Sequence, residues 1–427
     1  MENNALRAAM LSVHSSPAGD LGEKDTGGMS TYLRELSSQL GKMGWQVDLF
    51  TRSTVARAEG NPEELASGVR LVQVKAGPLQ PLGKEEITGF LPEFVRGVED
   101  FQQAQGACYH LVFSHYWISG LAGEILAENW QVPHLVMFHT LAAVKDAAGI
   151  GSPEPAGRLE AENRLARSAA RVLVPTEKEK NQLLFHYDAC PETVRVIPCG
   201  VNLERFQPGE KQAAREQLGL SRKEQLALYV GRLDPIKGLK GLLQALGRTK
   251  SPVSFRLLVV GGGKEEVAEM EQFCRQLQLS CPVTFLGAVK HEQLPCYYSA
   301  ADLLVVPSYY ESFGLAALEA MACGTPVVAT DVGELAAVID PGETGYLVPV
   351  DAADELVSCM EQVFTCPERF DPLAVRERVT RYGWPTIARQ VRKTCREVMA
   401  EPCREIIIRD EKNKIKKIDG GEKRDGT

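Results

Sequence analysis

Residues 303–330 read LLVVPSYYESFGLAALEAMACGTPVVAT. Two apolar runs rich in valine, at 303–308 and 326–330, flank a segment of small and apolar residues that ends at Cys323 and Gly324. The pattern predicts a buried strand, a helix that stops at the glycine because Pro326 cannot continue it, and a second buried strand. That order is a βαβ unit, which is typical of the parallel sheets of α/β proteins.

The same alternation of short apolar runs and helical patterns continues through most of the chain. In the first half, strands are predicted at 7–13 and 45–52 and at the runs VRLVQVK, YHLVFSH, PHLVMFHT, RVLVPT and VRVIP, with helices at 29–44 and around 158–168. In the second half, strands are predicted at 226–233, 255–262, 283–287, 303–308, 326–330 and 345–349. Each half therefore has enough strands for a doubly wound sheet of its own.

A connector at 198–207 that contains proline and glycine separates the two series of strands. We therefore predict an α/β protein of two Rossmann-like, doubly wound domains that face a cleft, with the first domain at 1–203 and the second at 204–384. The end of the chain, 409–427, is mostly charged residues and glycine, and we predict a flexible, solvated tail.

The composition argues against several classes of protein. The chain has 427 residues, of which 44% are hydrophobic and 24% charged, as in soluble globular proteins, and its net charge of −8 argues against a nucleic-acid partner. Its eleven cysteines include no C-x-x-C pair or zinc spacing, so we predict reduced core thiols and no metal site. No apolar run reaches 18 residues and the N-terminus does not resemble a signal peptide, which predicts a cytoplasmic protein without a transmembrane segment.

Several groups in the second half follow predicted strands, where open α/β sheets bind their ligands. The loop GRLDPIKG carries Arg232 and Lys237, which could hold a polyphosphate or could be ordinary surface cations. The glycines of VVGGGKEE, which include Gly262, can turn backbone amides toward an anion, although such a run is also typical of a plain tight turn.

Two glutamates bracket the helix of the opening stretch. Glu311 precedes this helix and Glu319 lies within it, and eight residues of helix rise about 12 Å. The two carboxylates therefore cannot bind one atom, but they can contact the two ends of an extended ligand, to which Gly314 leaves room for close approach. The alternative is one glutamate that favours the helix dipole and a second one in solvent.

In the first half, Gly27 and Gly28 precede a helix, so that free amides can meet a substrate or its phosphate. His115 and His139 each follow a predicted strand, and either could be an ordinary hydrogen-bonded histidine. Further donors for an anion could come from Lys84, Tyr116, Thr140 and Arg158. We therefore predict a diphosphate and a hydroxyl-rich group in the second half and another polar molecule in the first, as in group transfer within a closed cleft.

Together these motifs resemble the retaining nucleotide-sugar glycosyltransferases of family 4, which have the GT-B fold. ESFGLAALE is similar to the family's motif of two glutamates separated by seven residues, GRLDPIKG to its diphosphate loop, and DTGGMSTY to its Gly-Gly loop. The resemblance extends over about 7–399, and the segment 381–391 is similar to the one that leads the last helix, at about 385–405, back to the first domain. SHYWISG and FHTLAAVK most resemble the branch that acts on inositol phosphate, followed by the sucrose-phosphate synthases.

The resemblance implies a role for each motif residue. The implied catalytic residues are His139 beside the reacting sugar, Glu311 at its hydroxyls, and Arg232 and Lys237 at the diphosphate of the donor. The implied donor-binding residues are Gly27, Gly28, Arg232, Lys237, Gly262, Glu311, Phe313, Gly314, Leu315 and, at the ribose, Glu319. The implied acceptor-binding residues are Ser30, Lys84, Tyr116, Thr140 and Arg158. Ser30 stands where the inositol-phosphate branch has asparagine, which leaves the identity of the acceptor open.

We therefore expect a retaining hexosyltransferase that moves GlcNAc or glucose from a nucleoside-diphosphate sugar, with UDP as the expected nucleotide, to a hydroxyl of a small phosphorylated polyol or sugar. No tightly bound cofactor is expected. The oligomeric state is left open, with a homodimer as one alternative because related enzymes often pair as dimers. The alternatives are a transferase of the sucrose-phosphate-synthase or glucan-synthase type, a hydrolase, an epimerase, and a nucleotide-sugar-binding protein that has lost catalysis.

Overall fold

The structure is a computed structural model that describes residues 6–17, 27–54, 62–150, 153–249, 253–279 and 281–401. The predicted tail at 409–427 lies outside these residues, and so does 402–405 of the predicted last helix. Two sheets form the centres of two α/β domains, which we call the first and the second domain in chain order.

The sheet of the first domain has eight strands. Their bounds are β1 (Arg7–Leu11), β2 (Gln46–Arg52), β3 (Glu63–Ala66), β4 (Val69–Val74), β5 (Leu111–His115), β6 (His134–Met137), β7 (Arg171–Val174) and β8 (Val194–Val196). They lie in the order β3-β4-β2-β1-β5-β6-β7-β8, and every pair is parallel except β3 with β4.

The sheet of the second domain has six parallel strands. Their bounds are β9 (Gln225–Val230), β10 (Phe255–Val260), β11 (Val283–Gly287), β12 (Leu303–Val306), β13 (Val327–Thr330) and β14 (Gly345–Val348). They lie in the order β11-β10-β9-β12-β13-β14. β12 and β13 are buried along their whole length, as the valine-rich runs of a covered parallel sheet require.

Helices cover both sheets and connect most of their strands. In the first domain they are α1 (Gly28–Lys42), α2 (Lys84–Thr88), α3 (Leu91–Ala104), α4 (Trp117–Trp130), α5 (Ala142–Ala147), α6 (Ala156–Ser168) and α7 (Glu177–His186). From the second domain onward they are α8 (Lys211–Gln217), α9 (Leu239–Arg248), α10 (Lys264–Gln276), α11 (Leu294–Ala300), α12 (Leu315–Ala322), α13 (Leu335–Val338), α14 (Ala353–Thr365), α15 (Pro372–Glu377) and α16 (Trp384–Ala400).

Both sheets have the doubly wound strand order, in which the chain reverses direction across the sheet at one point. In the first sheet this switch point lies between β1 and β5, and in the second between β9 and β12. Ligands of open α/β sheets bind beyond the carboxyl ends of strands at such points. The strand order therefore places the predicted loops of each domain at the position where a ligand is expected.

The last helix returns to the first domain, as predicted. α16 packs on α1, where the rings of Trp384 and Tyr32 lie edge to face with centroids 5.3 Å apart. At the far end of α16, Arg171 of β7 forms an ion pair with Glu401. One apolar core that contains Tyr32 and Trp384 also includes Leu228 of the second sheet, so the two domains share buried surface.

The predicted strands are all present, and two details differ. Seven of them end two or three residues before their predicted carboxyl ends, because the chain leaves the sheet there: β1, β6, β7, β8, β9, β10 and β12. β3 was not predicted. Its sequence EELA is half exposed at the sheet edge, so it lacks the apolar pattern that identifies a buried strand.

All ten described cysteines are free, which confirms the prediction of unpaired thiols for this part of the chain. The prediction that most of them are core residues holds in part. Cys199, Cys281, Cys323 and Cys395 are buried. A further three are partly buried and pack against the apolar cores, namely Cys274, Cys296 and Cys359. Among the described residues, no helix combines the length and apolar composition needed to cross a bilayer. The cytoplasmic location and the homodimer stay predictions.

Candidate active site

The two switch points face each other across a cavity of about 420 Å³. Of the predicted site residues, Gly27, Gly28, Lys84, Tyr116, His139 and Thr140 line it from the first domain, and Arg232, Lys237, Glu311, Phe313, Gly314, Leu315 and Glu319 from the second. Gly262, Ser30 and Arg158 do not line it. Most of the predicted donor-side and acceptor-side residues thus meet at one cavity between the domains.

The loop after β9 brings two cations to the second domain's side of the cavity. Asp234 caps a short 3-10 helix, Pro235–Lys237, which places Lys237 beside the carboxylate of Glu311. The Nζ atom of Lys237 lies 2.6 Å from Oε1 of Glu311. Arg232 is 45% exposed, and its guanidinium lies 3.6 Å from Asp234. Arg232 is therefore accessible to an anion, and Lys237 orients a carboxylate that faces the same cavity.

Glu319 is fixed within α12 by two side chains. Nε2 of His291 lies 2.6 Å from Oε1 of Glu319, and the hydroxyl of Tyr298 donates to Oε2 at 3.0 Å. A guanidinium of Arg205 lies 3.2 Å from Nδ1 of His291. Because a guanidinium can only donate, Nδ1 accepts and the proton of the ring lies on Nε2, which donates to Glu319. The carboxylate is 7% exposed, so the alternative of a solvated glutamate is wrong.

Two glycines allow close packing beside the cavity. Gly314 precedes α12 with a φ of +101°, and a Cβ there would lie 2.7 Å from the side chain of Leu335. A Cβ on Gly28 would lie 3.1 Å from the side chain of Leu315 in the opposite domain. The Gly-Gly loop and the start of α12 are therefore in near contact. A bulkier residue at Gly28 would force them apart, whereas one at Gly314 would displace Leu335 within the second domain.

The first-domain side of the cavity is built around Tyr116. This residue has a φ of +77° at the start of α4, and its ring lies under two cations, Nζ of Lys84 at 5.4 Å and Cζ of Arg158 at 4.8 Å from the centroid. The ring of His14 lies 4.5 Å from the same centroid. Lys84 thus brings a positive charge to the first-domain end of the cavity, where an acidic group of a ligand would be attracted.

Three predicted site residues have other surroundings. Ser30 is buried and its hydroxyl lies 2.9 Å from that of Ser15. Gly262 has a φ of +83° and packs beneath Leu233, which fits the tight-turn alternative. Arg158 is 1% exposed, and its guanidinium contacts Glu162, Glu154 and Thr140 at 2.7 to 3.0 Å. Each is therefore placed to support the cavity wall rather than to contact a ligand directly.

Comparison with known proteins assigns the family. Residues 27–200 match the family model described as glycosyl transferase 4-like domain, and residues 210–383 match that of glycosyl transferases group 1. The D-inositol 3-phosphate glycosyltransferase 2 of Catenulispora acidiphila is 39% identical over 403 residues, which cover 91% of this chain and 94% of the relative. The D-inositol 3-phosphate glycosyltransferase of Rhodococcus opacus is 39% identical over 379 residues, 86% of this chain and 84% of the relative.

The chain belongs to the family 4 glycosyltransferases. Among solved structures, it is similar to a sucrose-phosphate synthase from Thermosynechococcus elongatus, with a TM-score of 0.83 and 36% identity over 92% of this chain and 99% of that one. The HepE protein of Anabaena in complex with UDP-glucose has a TM-score of 0.73 at 20% identity, over 92% of this chain and 100% of that one, which shows the shared fold alone.

Three buried histidines of the first domain, at or beside the cavity, are neutral at physiological pH. Burial lowers the pKa of His139 to about 3, and burial together with the charge of Lys84 lowers the pKa of His14 to about 3. Burial also lowers the pKa of His115, whose Nδ1 lies 2.9 Å from Nε2 of His139. His139 has a φ of +62°, a backbone conformation that the surrounding structure must enforce. These rings can exchange hydrogen bonds with a sugar, but at neutral pH they add no positive charge.

Sequence reasoning missed two residues of this glycosyltransferase site. His14 lines the cavity, and its Nδ1 is buried without a hydrogen-bond partner among the described residues. His291 orients Glu319 from 28 residues away in the chain. A lone histidine after a strand is visible in the sequence, but nothing in its spacing indicates which side chain it meets.

In the part of the chain that the structure describes, no group of three or more His, Cys, Asp or Glu side chains could hold a metal ion.

Replacing Gly238 with alanine is expected to displace the diphosphate loop of the enzyme. Gly238 has a φ of +72°, and a Cβ there would lie 1.8 Å from the carbonyl oxygen of Pro307. We expect a loss of at least about tenfold in kcat/KM and a decrease of about 1–3 kcal/mol in the free energy of unfolding. Gly219→Ala is the control, because Gly219 has a φ of +66° with nothing near its Cβ position. Equal effects of the two substitutions would contradict the role of the Pro307 contact.

Proposed function

We propose that the protein is a retaining hexosyltransferase that moves GlcNAc or glucose from a nucleoside-diphosphate sugar to a hydroxyl of a small phosphorylated polyol or sugar. UDP is the expected nucleotide. The supporting observation is the charge arrangement of the cavity. Arg232 and the Lys237–Glu311 pair line it from the second domain, and Lys84 with Tyr116 lines it from the first. Two anionic groups, the donor's diphosphate and the acceptor's phosphate, would each meet cations.

The chemistry follows from where the charge develops. As the bond between the anomeric carbon and the diphosphate oxygen breaks, negative charge accumulates on the leaving diphosphate, which Arg232 and Lys237 would stabilise. The acceptor hydroxyl forms the new bond to the anomeric carbon on the same face. Its proton passes to the oxygen of the leaving phosphate, so the products are a glycoside of unchanged anomeric configuration and a nucleoside diphosphate. No covalent sugar–enzyme intermediate is needed.

The surroundings of the glutamates argue against a glycoside hydrolase. Such enzymes use two carboxylates about 5–10 Å apart across the bond that breaks. Glu311 is paired with Lys237 and also accepts a hydrogen bond from Ser308, and both oxygens of Glu319 accept from His291 and Tyr298. Neither carboxylate is therefore placed as an acid or a nucleophile on the same bond, whereas both remain suited to accept hydrogen bonds from sugar hydroxyls.

The acceptor is proposed to carry a phosphate, with two candidates of comparable support. The Catenulispora relative is named for D-inositol 3-phosphate, and the Thermosynechococcus structure is named as a sucrose-phosphate synthase. Lys84 and Thr140 line the end of the cavity where the acceptor is proposed to bind. The inositol-phosphate branch has an asparagine where this chain has the buried Ser30, so the side-chain amide at that position is absent here. Inositol phosphate and a hexose phosphate such as fructose 6-phosphate are therefore the two acceptors to be compared first.

A donor-by-acceptor screen tests the proposal. UDP-GlcNAc, UDP-glucose, GDP-mannose and ADP-glucose would each be combined with inositol phosphates, fructose 6-phosphate and unphosphorylated polyols, and the release of nucleoside diphosphate and the glycoside would be measured. We expect transfer with a UDP-sugar and a phosphorylated acceptor, and an unchanged anomeric configuration by NMR.

Other outcomes of the screen would separate the alternatives. Activity with unphosphorylated acceptors alone would contradict the role proposed for Lys84, and donor consumption without any acceptor would indicate hydrolysis. Extension of a glucan primer would indicate a glucan synthase, and interconversion of the free sugar nucleotide an epimerase. Binding of the donor without turnover across the whole panel would indicate a protein that binds nucleotide sugars but has lost catalysis.

A further inference from the structure

One carboxylate outside the cavity lining connects the two domains. Glu179 is the third residue of α7, and its backbone N–H donates to the capping hydroxyl of Thr176 at 2.8 Å. At this position a glutamate commonly folds back onto the helix start. Here its side chain instead reaches the second domain, where the hydroxyl of Ser312 donates to Oε2 at 2.6 Å. Ser312 directly follows Glu311 in the loop between β12 and α12.

The surroundings of Glu179 destabilise an ionised carboxylate. The residue is 3% exposed, and its Oε1 has no hydrogen-bond partner among the described residues. The titratable groups around it are Glu162 from α6, Cys199 after β8 and Tyr310 from the second domain, none of which is a cation. Burying an incompletely paired carboxyl destabilises a protein. Stability alone therefore gives no reason for a glutamate at this position.

We propose that Glu179 is a positioning residue: its hydrogen bond to Ser312 holds the loop 307–314, and with it Glu311, against the acceptor domain. This inference rests on the proposed function, because it assigns to Glu179 the alignment of donor-side and acceptor-side groups. Glu179 acts through Ser312 and is not itself expected to contact a substrate. Since the two residues lie in different domains, the hydrogen bond exists only while the cleft is closed at this point.

The contact is expected to depend on pH. Burial raises the pKa of Glu179 to about 7, with Ser312 lowering it and Glu162 raising it. When the contact is broken, the carboxyl meets water and has its ordinary pKa of about 4. The contact is thus strongest at a pH below about 4, weakens as the pH rises from about 4 to about 7, and is weakest above about pH 7. The reason is that the ionised carboxylate is destabilised only in the buried site.

Enzyme kinetics with matched variants test the proposal. For the wild type we expect kcat/KM to fall about tenfold between pH 5.5 and pH 8. Glu179→Gln keeps an acceptor for Ser312 without the charge, so it should abolish this decrease. Glu179→Ala and Ser312→Ala should each lower kcat about tenfold at pH 6 with little change in KM for the acceptor. The double variant should lose no more than either single one. Glu177→Gln, an exposed neighbour in the same turn, is the control and should keep the wild-type pH profile.

A readout independent of activity separates this proposal from the proposed function. In hydrogen exchange with UDP present, Glu179→Ala should raise the exchange of the 308–314 amides about tenfold and leave the strands of both sheets unchanged. Additive losses in the double variant, an unchanged pH profile in Glu179→Gln, or faster exchange throughout the first domain would each overturn the positioning role. If the wild type transfers no sugar, the proposed function fails while the exchange experiment still decides the role of Glu179.

Discussion

Replacing Lys237 with alanine is expected to lower kcat/KM by about 10²–10³-fold, the usual effect of removing one group that stabilises charge in a transition state. Lys237 is the cation that contacts Glu311, at 2.6 Å, on the side of the cavity where the leaving diphosphate is proposed. Its removal takes away a positive charge and leaves the carboxylate of Glu311 facing the diphosphate, so repulsion adds to the loss. The measurement is steady-state transfer with the donor–acceptor pair that the screen identifies.

Lys240→Ala is the matched control for this substitution. Lys240 lies three residues further along the chain, is 47% exposed and pairs with Glu269 outside the catalytic cavity. Its replacement should change kcat/KM by no more than a few-fold, because an exposed ion pair contributes about 0–1 kcal/mol. A loss of similar size in both variants, or a loss below about tenfold in Lys237→Ala, would remove Lys237 from the proposed mechanism.

Arg158→Ala is expected to have the largest effect on stability, a decrease of about 3–5 kcal/mol in the free energy of unfolding. Arg158 is 1% exposed, and Nε donates to Glu162, which is fully buried. The substitution would leave the Glu162 carboxylate without its cation in a low-dielectric environment, where Tyr187 and the backbone of Ala142 are its other donors. Burial lowers the pKa of Arg158, but Glu162, Tyr116 and Glu154 raise it above its usual value, so the guanidinium stays charged at neutral pH.

Arg164→Ala, on the same helix, provides the comparison in denaturant unfolding. Arg164 is 59% exposed and pairs with Glu124, so its replacement should cost less than about 1 kcal/mol. Arg158→Ala could instead leave the free energy of unfolding within about 1 kcal/mol of the wild type and raise KM for the phosphorylated acceptor. That result would identify Arg158 as a direct ligand.

The sequence predicted the sheets because local patterns determine them. Valine-rich runs such as 303–306 and 327–330 can be buried on both faces only in a covered parallel sheet, and helical spacing separates them. The doubly wound order then places Arg232 and Glu311 at the same edge, which is why the meeting of the predicted site residues in one cavity follows from topology.

The contacts that orient the site could not be predicted from the sequence. His291 meets Glu319, and Glu179 meets Ser312 across 133 residues, through packing that spacing does not encode. Arg158 is visible as a cation in a helix, but whether it faces a ligand or a buried carboxylate depends on Glu162, one turn away on the inner face. In each case the identity of the residue is informative, while its partner is fixed only by the tertiary structure.

The chain crosses between the domains twice, and the two crossings lie side by side. Val201, on the way out of the first domain, pairs in parallel with Gly383, at the start of the helix that returns to it. We expect two adjacent crossings to restrict relative rotation of the domains more than a single connector would. Opening of the cleft is then expected to be a swing about this point, which would return the same loops to the same partners.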